Sequence, residues 1–554
     1  MGRSMVRSSA FQIPISLTAV VVFAAGCAPR EVVQSDRYED LLTLFEEWRA
    51  FEQPNFINGV PDYSASAMSQ QHRELAHYQN RLAAIDPSGW PVPQQVDHQI
   101  VKAEMKGLDF DHRVRRPWAN NPAFYTMIFS AQSDVPAHEG PVIHGWIDLW
   151  TYDYPLSAAD AAELSGRIGA IPPLLEQARE NLVGDGGDLW MMSVRSMDGQ
   201  IRDLDAFAER VSGTSSELDA AIAAAREATE EFRTWLEVKA PSKTGPSGVG
   251  KDNYTWYLHN VHLVPFSWEE QVTIMRRELA RSHAALRLEE HRNRNLPRLT
   301  RVGSAREYDR VFNAAVTEYM SFLEDEEIVT VRDYMDAALR ATIGRFSPSD
   351  GLRGFFSEVS YRDAVTMRTH GHHWIELATM EFEPHESPIR RVPSLYNIFD
   401  ARSEGLATGM EEMMMHAGLF GDRPRARELI WILLAQRAAR ALGGLMMHAN
   451  EWTMQEAVEF ASEWTPRGWL PEHGNTVWGE QHLYLQQPGY GTSYITGKVQ
   501  IEKLMAERAL QLGGEFTLRG FMDEFSGAGV IPVSLVRWEL TGRDEEVRRM
   551  VADR

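Results

Sequence analysis

The chain has 554 residues, a formal net charge of −22 and one cysteine. Nucleic-acid binding needs Lys and Arg to neutralise phosphates, so we expect no nucleic-acid partner for such an acidic chain. A single cysteine excludes an intrachain disulfide, and the fold must therefore be stabilised by burial of apolar groups.

The N-terminus has the pattern of a lipoprotein signal peptide over residues 1–26. Arg3 and Arg7 precede the apolar run Phe11–Phe23, which is too short to span a bilayer comfortably. Small residues then lead to Cys27, as in a bacterial lipobox, where the thiol becomes lipid-modified. An ordinary secretory peptide with an incidental cysteine is the alternative. The pattern predicts a protein anchored by lipid in the bacterial cell envelope, with the outer membrane or the periplasmic face preferred.

Helical signals dominate the sequence after the signal peptide. Ser267 and Glu270 form a capping box ahead of apolar residues at helical spacing, and similar starts recur at Thr214, Ser304 and Thr453. Segments in which apolar and polar residues alternate, as in a half-buried strand, are rare. We therefore predict a mostly α protein built as one large helical domain.

The predicted organisation is an N-terminal helical half, residues 27–240, packed over a C-terminal half, residues 254–554, that carries the chemistry. The segment Ala240–Asn253 between them is rich in Pro, Gly and Ser. Glu428–Met447 is apolar nearly all round, which predicts a buried central helix. Val142–Trp150 is a short strand candidate.

A glycine-rich segment imitates a phosphate-binding loop. Gly245–Lys251 satisfies the first seven positions of that motif, but Asp252 replaces the Ser or Thr whose hydroxyl would coordinate Mg²⁺. The motif requires a buried strand before it and a helix after it. Here the preceding residues have a helical pattern, and no suitable helix start follows. We predict a chain turn here and no nucleotide binding.

The most informative stretch is a histidine cluster. His370 and His373 are three positions apart, as are His373 and Glu376, so each pair shares a face of a helix. Neutral imidazoles with a carboxylate suit Zn²⁺, which can keep one position open for water. The alternative is that these histidines only satisfy local hydrogen bonds.

A second group of acidic residues lies about thirty positions further on. Glu404 and Glu411 are seven residues apart on one predicted helix, on the side expected to be buried. A buried carboxylate needs a metal, an arginine or a proton. Arg437 and Arg440 on the next helix could supply that pairing, so metal ligation and a Glu–Arg ion pair both stay open for Glu411.

Three further side chains could join this site. His448 ends the apolar helix, where the helix dipole alone would favour an imidazolium. Tyr490 and Tyr494 stand in a glycine-rich turn that enters a helix. Such a phenol could donate to a developing oxyanion, or could be a packing aromatic.

Several motifs follow one another in a defined order: Glu404-Gly-Leu-Ala with Glu411, then Arg437, Arg440 and His448, then Tyr494-Ile-Thr-Gly, Phe521-Met-Asp and Gly529-Val-Ile-Pro. In order and spacing they resemble the bacterial family called domain of unknown function 885, over most of the mature chain. The resemblance implies an exported, mostly helical lipoprotein whose fold resembles zincin-like helical peptidases.

The family's His-Glu-x-x-Pro-Gly-His segment is altered in this chain. Aligning Gly371-His372 with the family's Gly-His places Thr366 and Met367 where His and Glu are expected. Alternatively, His370 replaces that His after a local shortening, which leaves Gly371 in the Glu position. The Glu of such a motif normally activates the metal-bound water. Another carboxylate would therefore have to act as the base.

Two functional hypotheses follow. The first is a zinc-dependent hydrolase acting on peptide or amide bonds. Its predicted zinc ligands are His370, His373 and Glu404, with His448 as a fourth ligand or an outer partner. Its predicted catalytic groups are Glu376 or Glu411 as base and Tyr494 as oxyanion donor, and its predicted substrate-binding residues are Arg437 and Arg440. The second hypothesis is an inactive family member that binds peptides or a partner in the envelope.

Overall fold

A computed structural model describes residues 34–348 and 354–552. The predicted signal peptide, residues 1–26, and the predicted lipidation site, Cys27, lie outside the described residues. Within the described chain, helices dominate and strands are limited to two-residue pairs, which confirms the mostly α fold class.

The described residues before position 250 contain eight α-helices and two minimal strand pairs. They are α1 Tyr38–Glu52, β1 Phe56–Ile57, β2 Val60–Pro61, α2 Ala65–Ala83, α3 Val92–Phe110, α4 Pro117–Asn120, β3 Ile128–Phe129, β4 Ile147–Asp148, α5 Ala158–Ile168, α6 Ile171–Asn181, α7 Gly187–Val211 and α8 Ser216–Lys239. The strands β1 and β2 pair antiparallel, whereas β3 and β4 pair parallel.

The second part is helical throughout its described residues. Its helices are α9 Lys251–Tyr257, α10 Trp268–Arg292, α11 Ala305–Asp325, α12 Asp333–Ala341, α13 Phe355–Ser360, α14 Ala364–His370, α15 His372–Phe382, α16 Asp400–Ala417, α17 Ala426–His448, α18 Met454–Trp464, α19 Asn475–Gln486, α20 Tyr490–Leu512, α21 Leu518–Gly527, α22 Val533–Thr541 and α23 Glu545–Ala552.

Two hydrophobic cores hold these helices together. The larger core combines α1–α3 with the helices after residue 250. The smaller core is built mainly from the segment between α4 and α8. The first three helices therefore share their core with the C-terminal part of the chain.

The central helix is α17, as its apolar sequence predicts, and nearly all of its residues are buried. Among the described residues it is the one helix with the length and hydropathy of a membrane span, yet its apolar window is completely enclosed by protein. A helix that is apolar on all sides is expected at the centre of a large core.

Helices α16 and α20 cross at two glycines. A Cβ on Gly497 would lie 1.7 Å from the Ala401 carbonyl oxygen, and one on Gly405 would lie 2.5 Å from the backbone of Gly497. Only glycine allows two backbones to approach so closely. This crossing explains why glycine follows Glu404 in the Glu-Gly-x-Ala motif and ends the Tyr-x-x-Gly motif.

The glycine-rich loop has a structural role. The Ser247 hydroxyl accepts hydrogen bonds from the first backbone N–H groups of α7, at 3.1 and 3.4 Å. Gly248 packs so tightly on the end of α17 that a Cβ would lie 2.2 Å from the Met447 carbonyl oxygen. A short helix, α9, does follow the loop, unlike the sequence expectation. The Gly248 and Gly250 amides donate to Asn450 and to the His448 carbonyl, which are groups of the chain itself.

Candidate metal centre

Three side chains from separate segments converge at one point. Asp134, His370 and His373 each present a ligand atom within 4.8 Å of the others. His370 ends α14 and His373 lies in the first turn of α15, with Gly371 as the residue between the two helices. The imidazole rings are 5.0 Å apart and nearly perpendicular. The two histidines therefore meet across a helix junction, whereas the sequence predicted one continuous helix face.

His373 is held by two oxygen-bearing neighbours. Its Nε2 lies 3.2 Å from a carboxylate oxygen of Glu404, and its Nδ1 lies 3.2 Å from the Ser403 hydroxyl. Burial alone would lower the pKa of His373, but Glu404 and Asp134 outweigh it and raise the pKa to about 9. His373 reciprocally lowers the pKa of Glu404 to about 2 against the effect of burial. In the absence of a cation, the two groups form a buried ion pair.

His370 is oriented by a buried Glu–Arg pair. Arg437 donates to both carboxylate oxygens of Glu411, at 2.7 and 2.8 Å. The His370 Nδ1 lies 3.2 Å from Glu411 and 3.2 Å from the Arg437 guanidinium. A proton on Nδ1 shared with Glu411 leaves the Nε2 lone pair available to a cation.

The two glutamates predicted as bases are both engaged with arginines. Glu411 makes the bidentate pair with Arg437, and burial of both side chains is complete. Glu376 forms an ion pair with buried Arg402. Neither carboxylate is left to accept a proton without breaking an ion pair.

Glu404 belongs to a chain of oxygen atoms that leads out of the cluster. The Tyr490 hydroxyl donates to Glu404 over 2.6 Å and also contacts the Glu139 carboxyl. Glu139 is solvent-accessible at the edge of the site. Loss of hydration among the surrounding side chains, together with Asp134 and Glu404, raises the pKa of Glu139 above its usual range. Because the single phenol proton cannot serve both carboxylates, a protonated Glu139 can donate to the Tyr490 oxygen.

Tyr494 and Arg440 lie beside this chain. The Tyr494 ring is 5.5 Å from the Arg437 guanidinium and 5.7 Å from that of Arg440. Arg440 forms an ion pair with Glu480, which is partly exposed. Both arginines are fully buried, behind the groups that solvent can reach.

His448 does not join the cluster. Its Nε2 lies 2.9 Å from the Tyr484 carbonyl oxygen, and its Nδ1 is 3.5 Å from the Val249 amide. Burial lowers the pKa of His448 to about 4. With one nitrogen donating to a carbonyl and the other accepting from an amide, this imidazole connects the glycine-rich loop to the ends of α17 and α19.

Sequence reasoning missed Asp134 and Glu139. Both lie in residues 130–146, the segment between β3 and β4 that has no regular secondary structure, and which we call the strap. It is rich in Asp, Glu and His between Pro and Gly, which was the available signal. The histidine segment lies more than 200 residues later, and the periodic patterns that predict helices and strands do not relate residues so far apart.

No curated protein matches this chain. Two solved structures share its fold, and each is described as a proposed lipoprotein. The first, from Shewanella oneidensis and of unknown function, has a TM-score of 0.65 and 15% identity, and the match covers 90% of this chain and 97% of that one. The second, from Colwellia psychrerythraea, has a TM-score of 0.62 and 15% identity, and the match covers 93% and 98% of the two chains.

A family model described as bacterial protein of unknown function (DUF885) matches residues 56–347 and 370–540. The match spans well over half of the chain and includes the strap, both histidines and the helices α16, α17 and α20. It confirms the family expected from the order of the motifs. The chain therefore belongs to this family of bacterial proteins of unknown function.

Proposed function

We propose that the protein is an exported, lipid-anchored, metal-dependent hydrolase that cleaves peptide or amide bonds. The observation that carries the proposal is the convergence of Asp134, His370 and His373 within 4.8 Å. Two imidazoles and a carboxylate, meeting from three segments, are a ligand set suited to Zn²⁺.

The surroundings of the two histidines fit a metal site. Metal-binding imidazoles usually engage their other nitrogen with a carboxylate, hydroxyl or carbonyl that fixes the ring. Here Glu411 takes that part for His370, and Ser403 does so for His373. Glu404, which lies beside the His373 Nε2, would be a fourth ligand. A bound Zn²⁺ would polarise the scissile carbonyl and make water a stronger acid.

In this proposal Glu139 handles the proton in place of Glu376 and Glu411. Glu139 reaches solvent, touches the Tyr490 hydroxyl and has no arginine partner among the described residues. When ionised, its carboxylate can take a proton from water and pass it to the leaving amine. Tyr490 keeps Glu139 and Glu404 in one hydrogen-bonded chain, while Tyr494 lies beside it as an oxyanion donor.

The lipid anchor rests on separate support. Cys27 follows an apolar run in the pattern of a lipobox. The two proteins of the same fold from Shewanella and Colwellia are described as proposed lipoproteins. Attachment at Cys27 would hold the helical body at a membrane of the cell envelope.

The proposal is tested by metal content and cleavage together. We expect about one Zn²⁺ per chain after purification without added metal, and its loss in His373→Ala. The exposed His473→Ala serves as the control and should keep the metal. A peptide-library screen should show cleavage by the wild-type protein that a chelator abolishes.

The inactive, peptide-binding alternative has one observation in its favour. Glu376 and Glu411, the two carboxylates predicted as bases, are both bound by arginines. A metal-free protein that binds but does not cut library peptides would overturn the hydrolase proposal and support this alternative.

A further inference from the structure

The strap, residues 130–146, is held to the protein by side chains. Within the described chain, no backbone–backbone hydrogen bond involves a residue from 130 to 146. Such a segment is held by its buried side chains, here Val135 and Ile143, and by hydrogen bonds to side chains. Those contacts therefore decide where Asp134 and Glu139 lie.

One set of contacts forms a latch at the middle of the strap. The Gly140 amide donates to the Gln487 side-chain oxygen over 2.5 Å, and Asn397 donates to the same oxygen and to the His138 carbonyl. Gln487 also donates to buried Asp400 at the start of α16. The latch thus ties the strap to the helix that carries Glu404.

Two contacts between a histidine and a carboxylate also hold the strap. The His138 Nε2 lies 3.0 Å from Asp148, and the His144 Nε2 lies 2.9 Å from Glu52 in α1. Glu139 adds its contact with Tyr490. All these attachments follow Asp134 in the chain, and the Asp134 carboxylate lies against the two imidazoles.

The charges at this point are unbalanced. The two arginines of the site are already paired with glutamates of the body. The strap brings Asp134 to the two imidazoles, where Glu404 already pairs with His373, and it brings Glu139 to Tyr490. Both Asp134 and Glu404 lie beside His373, and a divalent cation at this point would be attracted by both carboxylates.

We propose that the strap closes on the site as the cation binds, with Asp134 completing the ligand set and Gln487 acting as the residue that positions the strap. The inference rests on the proposed metal site, and it adds that the site is complete only with the strap in place. Zn²⁺ binding and the position of residues 130–146 are then thermodynamically coupled.

Limited digestion of the whole purified protein tests this coupling. Proteinase K cleavage within residues 130–146, located by mass spectrometry, should be slowed about tenfold by saturating Zn²⁺ relative to chelator. Asp134→Asn should remove this effect of Zn²⁺ on the strap. Asp219→Asn, an exposed acid-to-amide change on α8, should keep it.

A second variant separates positioning from general stability. Gln487→Leu leaves all proposed ligands in place but removes the latch, so Zn²⁺ affinity should fall about tenfold while Zn²⁺ still binds the histidines. Unchanged affinity in this variant would overturn the role of Gln487.

The outcomes distinguish the two proposals. If Zn²⁺ binds and strap cleavage is unaffected, or is slowed equally in Asp134→Asn, the strap inference is wrong and the metal site stands. If no Zn²⁺ binds to the wild-type protein, both proposals fail.

Discussion

At the scale of single residues, the site contrasts buried ion pairs with one accessible carboxyl. Glu411 and Arg437 are both completely buried and bonded twice to each other. Removing one member of such a pair leaves an uncompensated charge in the core, which costs about 3–5 kcal/mol. The pair also contacts His370, so the same two side chains contribute to stability and to the proposed metal site.

Substitution of Glu411 tests this double role. Glu411→Gln should lower the free energy of unfolding by about 3 kcal/mol, because Arg437 loses its counter-charge. The double variant Glu411→Leu, Arg437→Met should recover most of that loss, since an apolar pair needs no compensation. Urea unfolding in the presence of a chelator measures both values.

Zinc affinity should respond differently from stability. Both variants remove the carboxylate that orients His370, so both should bind Zn²⁺ about 10- to 100-fold more weakly than the wild type, as found by competition with a chelating dye. Wild-type affinity in the double variant would mean that Glu411 does not orient a metal ligand.

At the scale of elements, the crossing of α16 and α20 sets the geometry of the site. Gly405 and Gly497 bring the two backbones into contact. This places Glu404, one residue before Gly405, within 2.6 Å of the Tyr490 hydroxyl at the start of α20. The short motifs around these glycines are thus packing motifs that also position functional side chains.

Gly497→Ala should force the two helices apart. Its methyl group would meet the Ala401 carbonyl at 1.7 Å, and neither backbone can give way cheaply. We expect a loss of about 3 kcal/mol in the free energy of unfolding, at the upper end for overpacking. The control is Gly166→Ala in α5, where a Cβ meets nothing within 4 Å, and this change should stabilise by up to about 1 kcal/mol. Equal changes in the free energy of unfolding for Gly497→Ala and Gly166→Ala would contradict a backbone contact of α16 and α20 at Gly497.

At the scale of the whole molecule, buried histidines make stability depend on pH. Burial lowers the pKa of His98, His112 and His482 to about 4, and that of His262 to about 3. In the unfolded chain these groups take up protons near pH 6.5, while in the folded protein they stay neutral. Stability that is present above pH 6.5 is therefore lost as the pH falls towards 4.

We expect the midpoint of thermal unfolding to fall steadily between about pH 7 and about pH 5, with each such histidine contributing at most about 1.4 kcal/mol per pH unit. His98→Gln should flatten this dependence, since it removes one buried titrating group far from the histidine cluster. His473→Gln, at an exposed position, should leave the slope unchanged. All these unfolding measurements contain a chelator, so that metal binding does not contribute to the pH dependence. A slope unaffected by His98→Gln would show that this histidine does not contribute.

The sequence alone determined the features that arise from local interactions. The capping boxes at Ser267 and Thr453 begin α10 and α18, and Ser304 caps α11. At α8 the cap is Ser215, one residue after the Thr214 start that the pattern predicted. Glu428–Met447 proved to be the buried helix α17, whereas the strand expected over Val142–Trp150 was reduced to Ile147–Asp148. Caps and apolar periods are encoded within a few neighbouring residues, so they can be predicted from the sequence.

Only the tertiary structure decided which groups meet. It brings Asp134 to the histidines and Glu139 to Tyr490, assigns Glu411 to Arg437, and places His448 against the Tyr484 carbonyl. These neighbours are separated by tens to hundreds of residues, and no local period relates them. Their meeting depends on how whole helices pack, because a side chain's partner is set by the position of the backbone that carries it.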